Sequence, residues 1–436
     1  MKKRILDLAI AYRRKSFIRV AYRTFATLFP FVLIGIWIQI INTNLLQPDG
    51  FLYNVLYLAN WTSTTWLRPL RLVATFIQNI LLGFIGIYVV YLSAYYTAQL
   101  YQRAKQLAGV TGIVVMLMAS FQASNRTGNF YSSLNWRMLS LQNLLLSLAI
   151  GYLIGQVFRW LSPATSATHN PHTLEIQSRA QWNLKPIIVS LIIGIVLGVG
   201  MNLANYFAIS DSVITALSDW GAGDSHFIIK LLVMMLISLL QWLGLYDPTS
   251  TWFTTGDSAE WNANLSYVLS HHSMYHVPYP LSGVELYSSY AVFGGVGCTL
   301  ALLIAFVLVS RRLENLRVAR WNMIPVLFNN SGAFFIGLPV ILNPIFLLAM
   351  IIIPTINMLI AAGAVMIHLI PTPVFDYPNG TPTFLVSFIG TNGNWASVIF
   401  AILLFCLDII MYLPVVRTYI EMQNEIIKLD LKEDQQ

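Results

Sequence analysis

The sequence predicts an all-α polytopic membrane protein with about ten transmembrane helices and two re-entrant hairpins. Of its 436 residues, 57% are hydrophobic and only 10% are charged, whereas soluble domains contain roughly a quarter charged residues. Several apolar runs reach the roughly 20 residues that a helix needs to cross about 30 Å of hydrocarbon. The longest polar stretches, Ser162 to Lys185 and Asp247 to Ser289, are too short for a soluble enzyme domain. Any chemistry is therefore expected within the helical bundle.

Nine apolar runs are predicted to form membrane helices. They are Thr24 to Ile41, Val73 to Tyr96, Leu107 to Phe121, Leu141 to Leu161, Pro186 to Phe207, Phe227 to Tyr246, Tyr290 to Ser310, Ile345 to Ile367 and Ala396 to Val416. With a cytoplasmic start, these runs place the basic cluster Arg311 to Arg320 outside, against the positive-inside rule. One more segment is therefore expected to enter the bilayer, within either Phe51 to Trp66 or Asp247 to Ser289.

The N-terminus is strongly basic ahead of the first span. Its cationic residues are Lys2, Lys3, Arg4, Arg13, Arg14, Lys15, Arg19 and Arg23. The positive-inside rule therefore predicts a cytoplasmic N-terminus. The net charge of +7 belongs mainly to residues beside membrane spans, which favours contact with anionic membrane lipid over nucleic acid. No nucleic-acid partner is predicted.

Two polar interruptions of the apolar sequence are predicted to be re-entrant hairpins. The first, Phe328 to Pro344, has the sequence FNNSGAFFIGLPVILNP, and the second, Pro371 to Trp395, is rich in proline and glycine. Irregular backbone at membrane depth is tolerated only where it is buried in protein or lines a wet cavity. Many secondary transporters bind their substrates at such broken helices.

Amide and hydroxyl side chains in these hairpins suit an uncharged, polyhydroxylated ligand, because they both donate and accept hydrogen bonds. The candidate sugar-binding residues are Asn329, Asn330, Ser331, Asn343, Asn379 and Thr381. The alternative is that each side chain only satisfies the backbone of its own hairpin. For any single residue, both interpretations remain open.

Ionisable residues elsewhere give weaker indications. Asp408 lies inside an apolar run, where a charge is costly and an ionisable residue is a functional candidate. A buried partner and a proton-linked role both remain open for it. His271, His272 and His276 form a compact group, but no nearby cysteine or paired carboxylate completes a tetrahedral set. We predict no metal site and no cofactor.

Several motifs resemble one known family. Phe328-Asn329 followed by GLPVILNP at Gly337 to Pro344 resembles the F-N-x-N-E-P-x-x-F-G-x-P-x-x-x-N-P hairpin of enzyme IIC (EIIC), the membrane subunit of the bacterial phosphotransferase system (PTS). The branch is that of lactose, cellobiose and diacetylchitobiose. Phe293 to Leu300 resembles its G-G-x-G-x-T-L helix start, and Tyr377 to Pro382 its P-W-T-T-P-P hairpin. Asn392 to Trp395 is similar to its G-G-D-W.

The resemblance implies a homodimeric sugar permease with the enzyme IIC architecture in a bacterial cell membrane. A basic cytoplasmic segment (residues 1–23) would precede an N-terminal bundle with dimer contacts (24–210). A substrate-binding transport domain (211–418) and a cytoplasmic tail (419–436) would follow. The sugar, expected to be a β-linked disaccharide, is phosphorylated as it crosses. A IIB subunit carries the phosphoryl group on cysteine and is supplied in turn by IIA.

The sequence departs from the family where phosphorylation is assisted. The resemblance implies a hairpin glutamate and an upstream histidine that orient the sugar hydroxyl, but Gly332 stands at the first position. Trp242 to Asp247 resembles W-x-x-G-I-H-G, which puts Tyr246 at the second. Help from a general base is usually worth about a hundred- to ten-thousand-fold in rate. Asp247 is either a substitute acceptor or part of an ordinary turn.

These departures leave the catalytic residues unassigned and two functions open. Trp242, Tyr246 and Asp247 complete the candidate substrate-binding set, with Trp242 expected to stack on a sugar face. The first function is a sugar permease of the PTS type, which either still phosphorylates through altered groups or only translocates. The alternative is a degenerate enzyme IIC that acts as a membrane sugar sensor or interaction module.

Overall fold

The chain is described by a computed structural model, which covers residues 2–61, 64–126, 129–164, 181–206, 220, 226–245 and 259–434. The helices are Lys2–Arg13 (α1), Ser16–Ile41 (α2), Phe51–Val55 (α3), Leu58–Trp61 (α4), Thr64–Gln78 (α5), Ile85–Leu100 (α6), Lys105–Ala119 (α7), Trp136–Leu139 (α8), Leu144–Leu161 (α9), Leu184–Tyr206 (α10), Phe227–Trp242 (α11), Ala259–His271 (α12), Gly283–Tyr290 (α13), Thr299–Val309 (α14), Leu313–Leu327 (α15), Gly332–Gly337 (α16), Pro344–Met366 (α17), Thr383–Gly390 (α18) and Trp395–Asp434 (α19).

Short irregular elements complete the chain. π-helical turns at Asn42–Leu46 and Asn79–Gly83 follow α2 and α5, and a 3-10 turn at Leu141–Asn143 precedes α9. Strands Phe121–Arg126 (β1) and Asn129–Leu134 (β2) pair antiparallel between α7 and α8, with Phe121 opposite Leu134. The sequence analysis did not predict this β-hairpin, because its polar residues show little of the alternation that marks a strand.

Within the described residues, six helical segments are long and apolar enough to cross a membrane. They are Ser16–Leu46, Trp66–Leu100, Leu141–Leu161, Leu184–Leu203, Pro344–Met366 and Trp395–Leu429, and three shorter apolar helices are Lys105–Ala119, Phe227–Trp242 and Thr299–Val309. The predicted class, an all-α polytopic membrane protein, is confirmed. Phe51–Val55 and Leu58–Trp61 are five and four residues long, too short to span. Residues 246–258 lie outside the described part.

One run that was predicted as a single membrane helix is interrupted in the structure. The run Tyr290 to Ser310 is broken by residues 291–298, which we call the glycine loop, between α13 and α14. Gly294 and Gly297 have φ of +80° and +77°, a left-handed conformation that glycine adopts at little cost and a helix cannot contain. These glycines therefore lie in a loop between two helices.

The N-terminal helices pack closely through small residues. Helix α6 packs against α7 and α9, and α10 packs against α7. A Cβ atom at Gly151 of α9 would lie 2.6 Å from the carbonyl oxygen of Val90 and 2.8 Å from Cβ of Ser93, both on α6. The hydroxyl of Ser93 in turn donates to the carbonyl of Leu148 at 2.9 Å. Small residues and interhelical hydrogen bonds typically hold membrane helices together.

Helix α2 contacts helices from distant parts of the sequence. Its buried face, which includes Phe25, Val32 and Ile36, belongs to the same apolar core as α14, α16 and α17. Helix α2 contacts α6 on one side and α16 on the other. A single helix near the N-terminus therefore positions the first predicted hairpin.

Both predicted hairpins contain a short helix that lies inside the bundle. Helix α16 has six residues, five of them buried, and packs against α2 and α15. Helix α18 has eight residues and packs against α13 and α19. A helix needs roughly 20 residues to cross the hydrocarbon. Both segments are therefore partial crossings, as the sequence predicts for re-entrant hairpins.

We expect Gly151→Ala to lower stability by about 1–3 kcal/mol, because the added methyl group overpacks the α6–α9 contact. The measurement is the temperature at which half of the purified protein loses its monodisperse peak after heating in detergent. Gly363→Ala is the matched control, since a Cβ atom there meets nothing within 4 Å. Equal melting temperatures for the two variants would contradict the close α6–α9 packing.

Candidate functional site

Asn329 ties the two hairpins together. Its backbone has a φ of +59° just after α15 ends, a conformation that asparagine tolerates better than most residues. Its Oδ1 accepts hydrogen bonds from the Thr383 hydroxyl at 2.7 Å and from the Gly294 amide at 3.1 Å. Its Nδ2 donates to the Thr381 carbonyl at 3.3 Å. Asn329 therefore joins the first hairpin, the second hairpin and the glycine loop.

The next two residues connect the first hairpin to other helices. Asn330 Nδ2 donates to Gln39 Oε1 of α2 at 3.0 Å. Ser331 is only 1% exposed, and its hydroxyl accepts from Gln241 Nε2 of α11 at 3.2 Å. Asn330 is half-buried, so it is the more accessible of the two to a ligand.

Asn343 and Trp242 are bonded to each other at the base of the first hairpin. Asn343 caps α17, since its Oδ1 accepts from the Ile345 amide at 3.2 Å and its Nδ2 donates to the Pro339 carbonyl at 3.0 Å. The Asn343 carbonyl accepts from Trp242 Nε1 at 2.8 Å. Both side chains are buried. Their contacts hold the hairpin in place, and their predicted contact with sugar stays a prediction.

The remaining candidates lie at the second hairpin or outside the described residues. Asn379 Nδ2 donates to Asp49 Oδ2 at 2.5 Å, and the Asn379 carbonyl accepts from the Phe51 amide at 2.9 Å. The Thr381 hydroxyl donates to the Pro378 carbonyl at 2.6 Å. These contacts fasten the second hairpin to the turn before α3. The predicted site residues at positions 246 and 247, a tyrosine and an aspartate, lie outside the described residues.

A cavity of about 760 Å³ with a mixed polar and apolar lining opens next to Gln39 of α2. Its lining residues are Gln39, Phe76, Gln78, Asn79, Leu82, Gly83, Phe84, Trp136, Arg137, Ser140, Leu141 and Gln142. This volume falls within the range of about 300–1,000 Å³ that is typical of small-molecule sites. The lining combines amide, hydroxyl and guanidinium groups with aromatic rings. Gln39 belongs both to this cavity and to the contact with Asn330, so the cavity adjoins the amide-rich break.

This cavity is not among the sites predicted from the sequence, although two amides within an apolar run indicate it. Gln78 and Asn79 interrupt the apolar run predicted as Val73 to Tyr96. In the structure, a π-helical turn begins at Asn79, and such turns occur frequently at functional sites. Gln78 is held by buried Asn42, whose Nδ2 donates to Gln78 Oε1 at 3.2 Å. Two amides inside an apolar run were therefore a usable indication.

A buried group of charges was also missed. Lys230 of α11 contacts both carboxylate oxygens of Glu260 at 2.5 and 2.6 Å, with side chains only 3% and 5% exposed. Glu285 of α13 is buried near this pair, and burial raises the pKa of its carboxyl above the usual range, with Glu260 adding to the rise. Lys230 interrupts an apolar run, where an ionisable residue indicates a special role.

The predicted histidine group is divided in the structure. The His276 ring lies 4.3 Å from the His368 ring, between centroids, whereas the His271 ring stacks on Tyr267 at 4.1 Å. Among the described residues, no group of three or more His, Cys, Asp or Glu side chains could hold a metal ion. His271 thus packs within its own helix, whereas His276 contacts a histidine from a distant part of the sequence.

These observations define a polytopic membrane protein in which Asn329 joins two segments with short buried helices, and Gln39 connects the first of them to a cavity. Comparison with protein families matches residues 23–354 to the family described as "Phosphotransferase system, EIIC". The match covers more than half of the 436 residues. The chain therefore belongs to the phosphotransferase system EIIC family, as the hairpin motifs indicate.

Curated relatives match a limited segment of the chain. The chain is 32% identical over 130 residues to the cellobiose-specific EIIC component of Lactococcus lactis subsp. lactis (strain IL1403), covering 30% of this chain and 26% of that protein. It is 29% identical over 138 residues to the lactose-specific EIICB component of Staphylococcus aureus (strain N315), covering 32% of this chain and 24% of that protein. The alignments thus span about a quarter of these relatives.

A solved structure is similar over nearly the whole length. It is the crystal structure of the transporter ChbC, the IIC component from the N,N'-diacetylchitobiose-specific phosphotransferase system. The sequences are 17% identical, the comparison covers 98% of this chain and 99% of that chain, and the TM-score is 0.45.

We expect Lys230→Ala to destabilise the protein by about 3–5 kcal/mol, because it leaves the buried Glu260 carboxylate without its cation. Loss of folded protein on heating in detergent is the measurement. Lys428→Ala is the control, since Lys428 pairs with Glu425 on the surface with its side chain 66% exposed. Such pairs contribute about 0–1 kcal/mol. A Lys230→Ala variant as stable as the control would contradict a buried ion pair.

Proposed function

We propose that this chain is a sugar-translocating membrane subunit of the EIIC type, and that it binds an uncharged disaccharide beside the first hairpin. The observation that carries the proposal is the contact between Asn330 and Gln39, which joins the amide-rich break to the cavity. A substrate in that cavity would touch Gln39 of α2, which is bonded to Asn330 of the first hairpin. Movement of the hairpin would then change the access to the substrate.

The cavity chemistry supports a sugar. The cavity is lined by Gln39, Gln78 and Gln142. Each carries a hydrogen-bond donor and an acceptor, and a sugar hydroxyl can both accept and donate in return. Trp136 offers an aromatic face, and an apolar sugar face packs well on such a surface. The two relatives above are named for cellobiose and lactose, which are both β-linked disaccharides. We propose the same substrate class for this chain.

Phosphorylation is the part of the family mechanism that we propose to be lost. Gly332 begins α16 at the position of the family glutamate, and it has no side chain to accept a proton from a sugar hydroxyl. The Tyr246 position supplies a phenol in place of the family histidine. Phosphoryl transfer depends on positioning and on a group that handles the hydroxyl proton. The chain would then move sugar without modifying it.

We propose the following placement and partners. The protein lies in the bacterial cell membrane with its basic N-terminus, residues 1–23, in the cytoplasm, where positive residues are retained. Residues 24–210 form the dimer-contact bundle of a homodimer, 211–418 the transport domain and 419–436 a cytoplasmic tail. A IIB subunit docks on the cytoplasmic side and is charged by IIA. The name of the Staphylococcus relative, EIICB, supports an association with a B component.

We expect purified protein in liposomes to transport labelled cellobiose or chitobiose as free sugar, with or without phosphorylated IIB. The physical reason is the missing proton acceptor at Gly332. Chromatography of the vesicle contents separates free sugar from sugar phosphate. Sugar phosphate inside would refute the loss of phosphorylation, whereas binding without uptake would favour the sensor function. Gly332→Glu tests the same point, since restored phosphorylation is expected only if the rest of the site is intact.

We also expect Gln39→Ala to weaken disaccharide binding about three- to tenfold, because one hydrogen bond contributes about 0.5–1.5 kcal/mol. Titration calorimetry of the protein in detergent with cellobiose measures the affinity. Gln99→Ala is the matched control, because Gln99 is exposed at the end of α6 and does not line the cavity. If both variants bind cellobiose as tightly as the unchanged protein, the sugar does not occupy this cavity.

A further inference from the structure

Asp408 is a carboxyl group in the middle of α19 that the sugar site does not use. It is 0% exposed. Its Oδ2 accepts from Asn357 Nδ2 of α17 at 2.9 Å. In the part of the chain that the structure describes, no Lys, Arg or His side chain forms an ion pair with it. The titratable groups that face it are the Cys298 thiol and the Tyr412 phenol.

Two oxygen atoms of Asp408 and Asn357 indicate that this pair binds a proton. Asp408 Oδ1 and Asn357 Oδ1 are both buried and both lack a hydrogen-bond partner. The Asn357 amide oxygen is always an acceptor, and Asp408 Oδ1 is also an acceptor while the carboxylate is ionised. Neither atom can then donate to the other. A proton on Asp408 Oδ1 would turn it into a donor, and a carboxylic acid and an amide then bond side by side through two hydrogen bonds. The amide thus supplies the complement of a protonated carboxyl.

The glycine loop connects this pair to both hairpins. At one end, the Gly294 amide donates to Asn329 Oδ1 of the first hairpin and to Thr383 Oγ1 of the second, at 3.1 and 2.9 Å. At the other end, Cys298 Sγ accepts from Asn357 Nδ2 at 3.4 Å. The Tyr412 hydroxyl, one turn beyond Asp408, donates to the Gly297 carbonyl.

The helices that carry the pair are weakened close to it. Pro354 lies one turn before Asn357 in α17, and Pro414 lies within two turns after Asp408 in α19. A proline inside a helix removes a backbone hydrogen bond and allows a kink. A displacement of the hairpins around a sugar would therefore reach Asn357 through the glycine loop. It would change how well the pair holds a proton.

We propose that Asp408 and Asn357 form a proton-binding site, and that sugar moves through this chain together with a proton carried on Asp408. This inference rests on the proposed sugar transport. A proton from water on the outer side binds the Asp408 carboxylate and gives the carboxylic acid. Its release to water on the inner side regenerates the carboxylate, and no bond of the sugar is made or broken. The proton gradient thus drives uptake that phosphorylation no longer traps.

The test uses the full chain in liposomes, with labelled cellobiose outside and, for counterflow, unlabelled cellobiose inside. Counterflow without a gradient measures sugar transport itself, and a pH-sensitive dye inside measures proton entry. With an inward gradient of one pH unit, a stoichiometry of one proton per sugar predicts about tenfold accumulation of free sugar. Asp408→Asn keeps the size of the side chain but cannot bind a proton, so its accumulation ratio is expected to be about one. Glu314→Gln, an exposed carboxyl at the start of α15, is expected to accumulate sugar as the unchanged chain does.

The outcomes separate the two proposals. Net uptake of sugar down its own gradient that brings no protons into the liposomes overturns the proton site and leaves the sugar function standing. Counterflow alone exchanges sugar for sugar and moves no net protons. Absence of counterflow in the unchanged chain overturns the proposed function, and the coupling with it. Accumulation by Asp408→Asn equal to that of the unchanged chain also overturns the proton site.

A second measurement does not depend on the folding of Asp408→Asn. Difference infrared spectra of the unchanged chain are expected to show the C=O band of a protonated buried carboxyl that changes when cellobiose is added. The same band should remain in Glu285→Gln, since Glu285 is another buried carboxyl. A spectrum in which sugar changes no carboxylic acid band overturns the coupling.

Discussion

The arrangement of both hairpins depends on the side-chain amide of Asn329. This amide accepts from the Thr383 hydroxyl and the Gly294 amide and donates to the Thr381 carbonyl. The Gly294 amide and the Thr381 carbonyl lie outside the regular helices, and lipid offers no substitute for a hydrogen bond to them. A single asparagine therefore allows three irregular segments to meet inside the bundle. It also fixes where the first hairpin turns, because its own backbone takes up the left-handed conformation.

The same need to satisfy buried polar groups sorts the amides of the hairpins by role. The side chains of Asn343 and Thr381 form hydrogen bonds with backbone groups in or next to the hairpins. Asn330 bonds to Gln39, a side chain that lines the cavity. A sugar could replace that partner at little cost, because a hydroxyl donates and accepts as an amide does. The Asn343 and Thr381 side chains thus satisfy the hairpin backbone, whereas sugar binding by Asn330 stays a prediction.

The C-terminal part of the chain also contains ionisable groups that a membrane protein retains only for a reason. Lys230 and Glu260 neutralise each other within the bundle, which accounts for their burial without any role in transport. Asp408 has an amide as its partner instead of a cation. The two arrangements show different solutions to the same problem, since a buried charge must be either paired or removed by protonation.

The sequence by itself determined the class of the protein, its family and the positions of both hairpins. Those properties follow from the length of apolar runs relative to the hydrocarbon thickness and from local motifs, both of which are readable along the chain. It also located Asp408 as a costly ionisable residue within an apolar run. The break at residues 291–298 was not predicted as such, because the loop and the helix that follows it form one apolar stretch, Tyr290 to Ser310.

Only the tertiary structure decided which of the predicted amides adjoin the cavity. Gln39 and Asn330 are separated by 291 residues, and Asn329 and Thr383 by 54. Contacts over such distances depend on how the helices pack, and no local pattern specifies them. The cavity, the bridge between the hairpins and the pairing of Asp408 with Asn357 all arise from side chains on separate helices, for which hydrophobic periodicity gives a position along the chain but no partner.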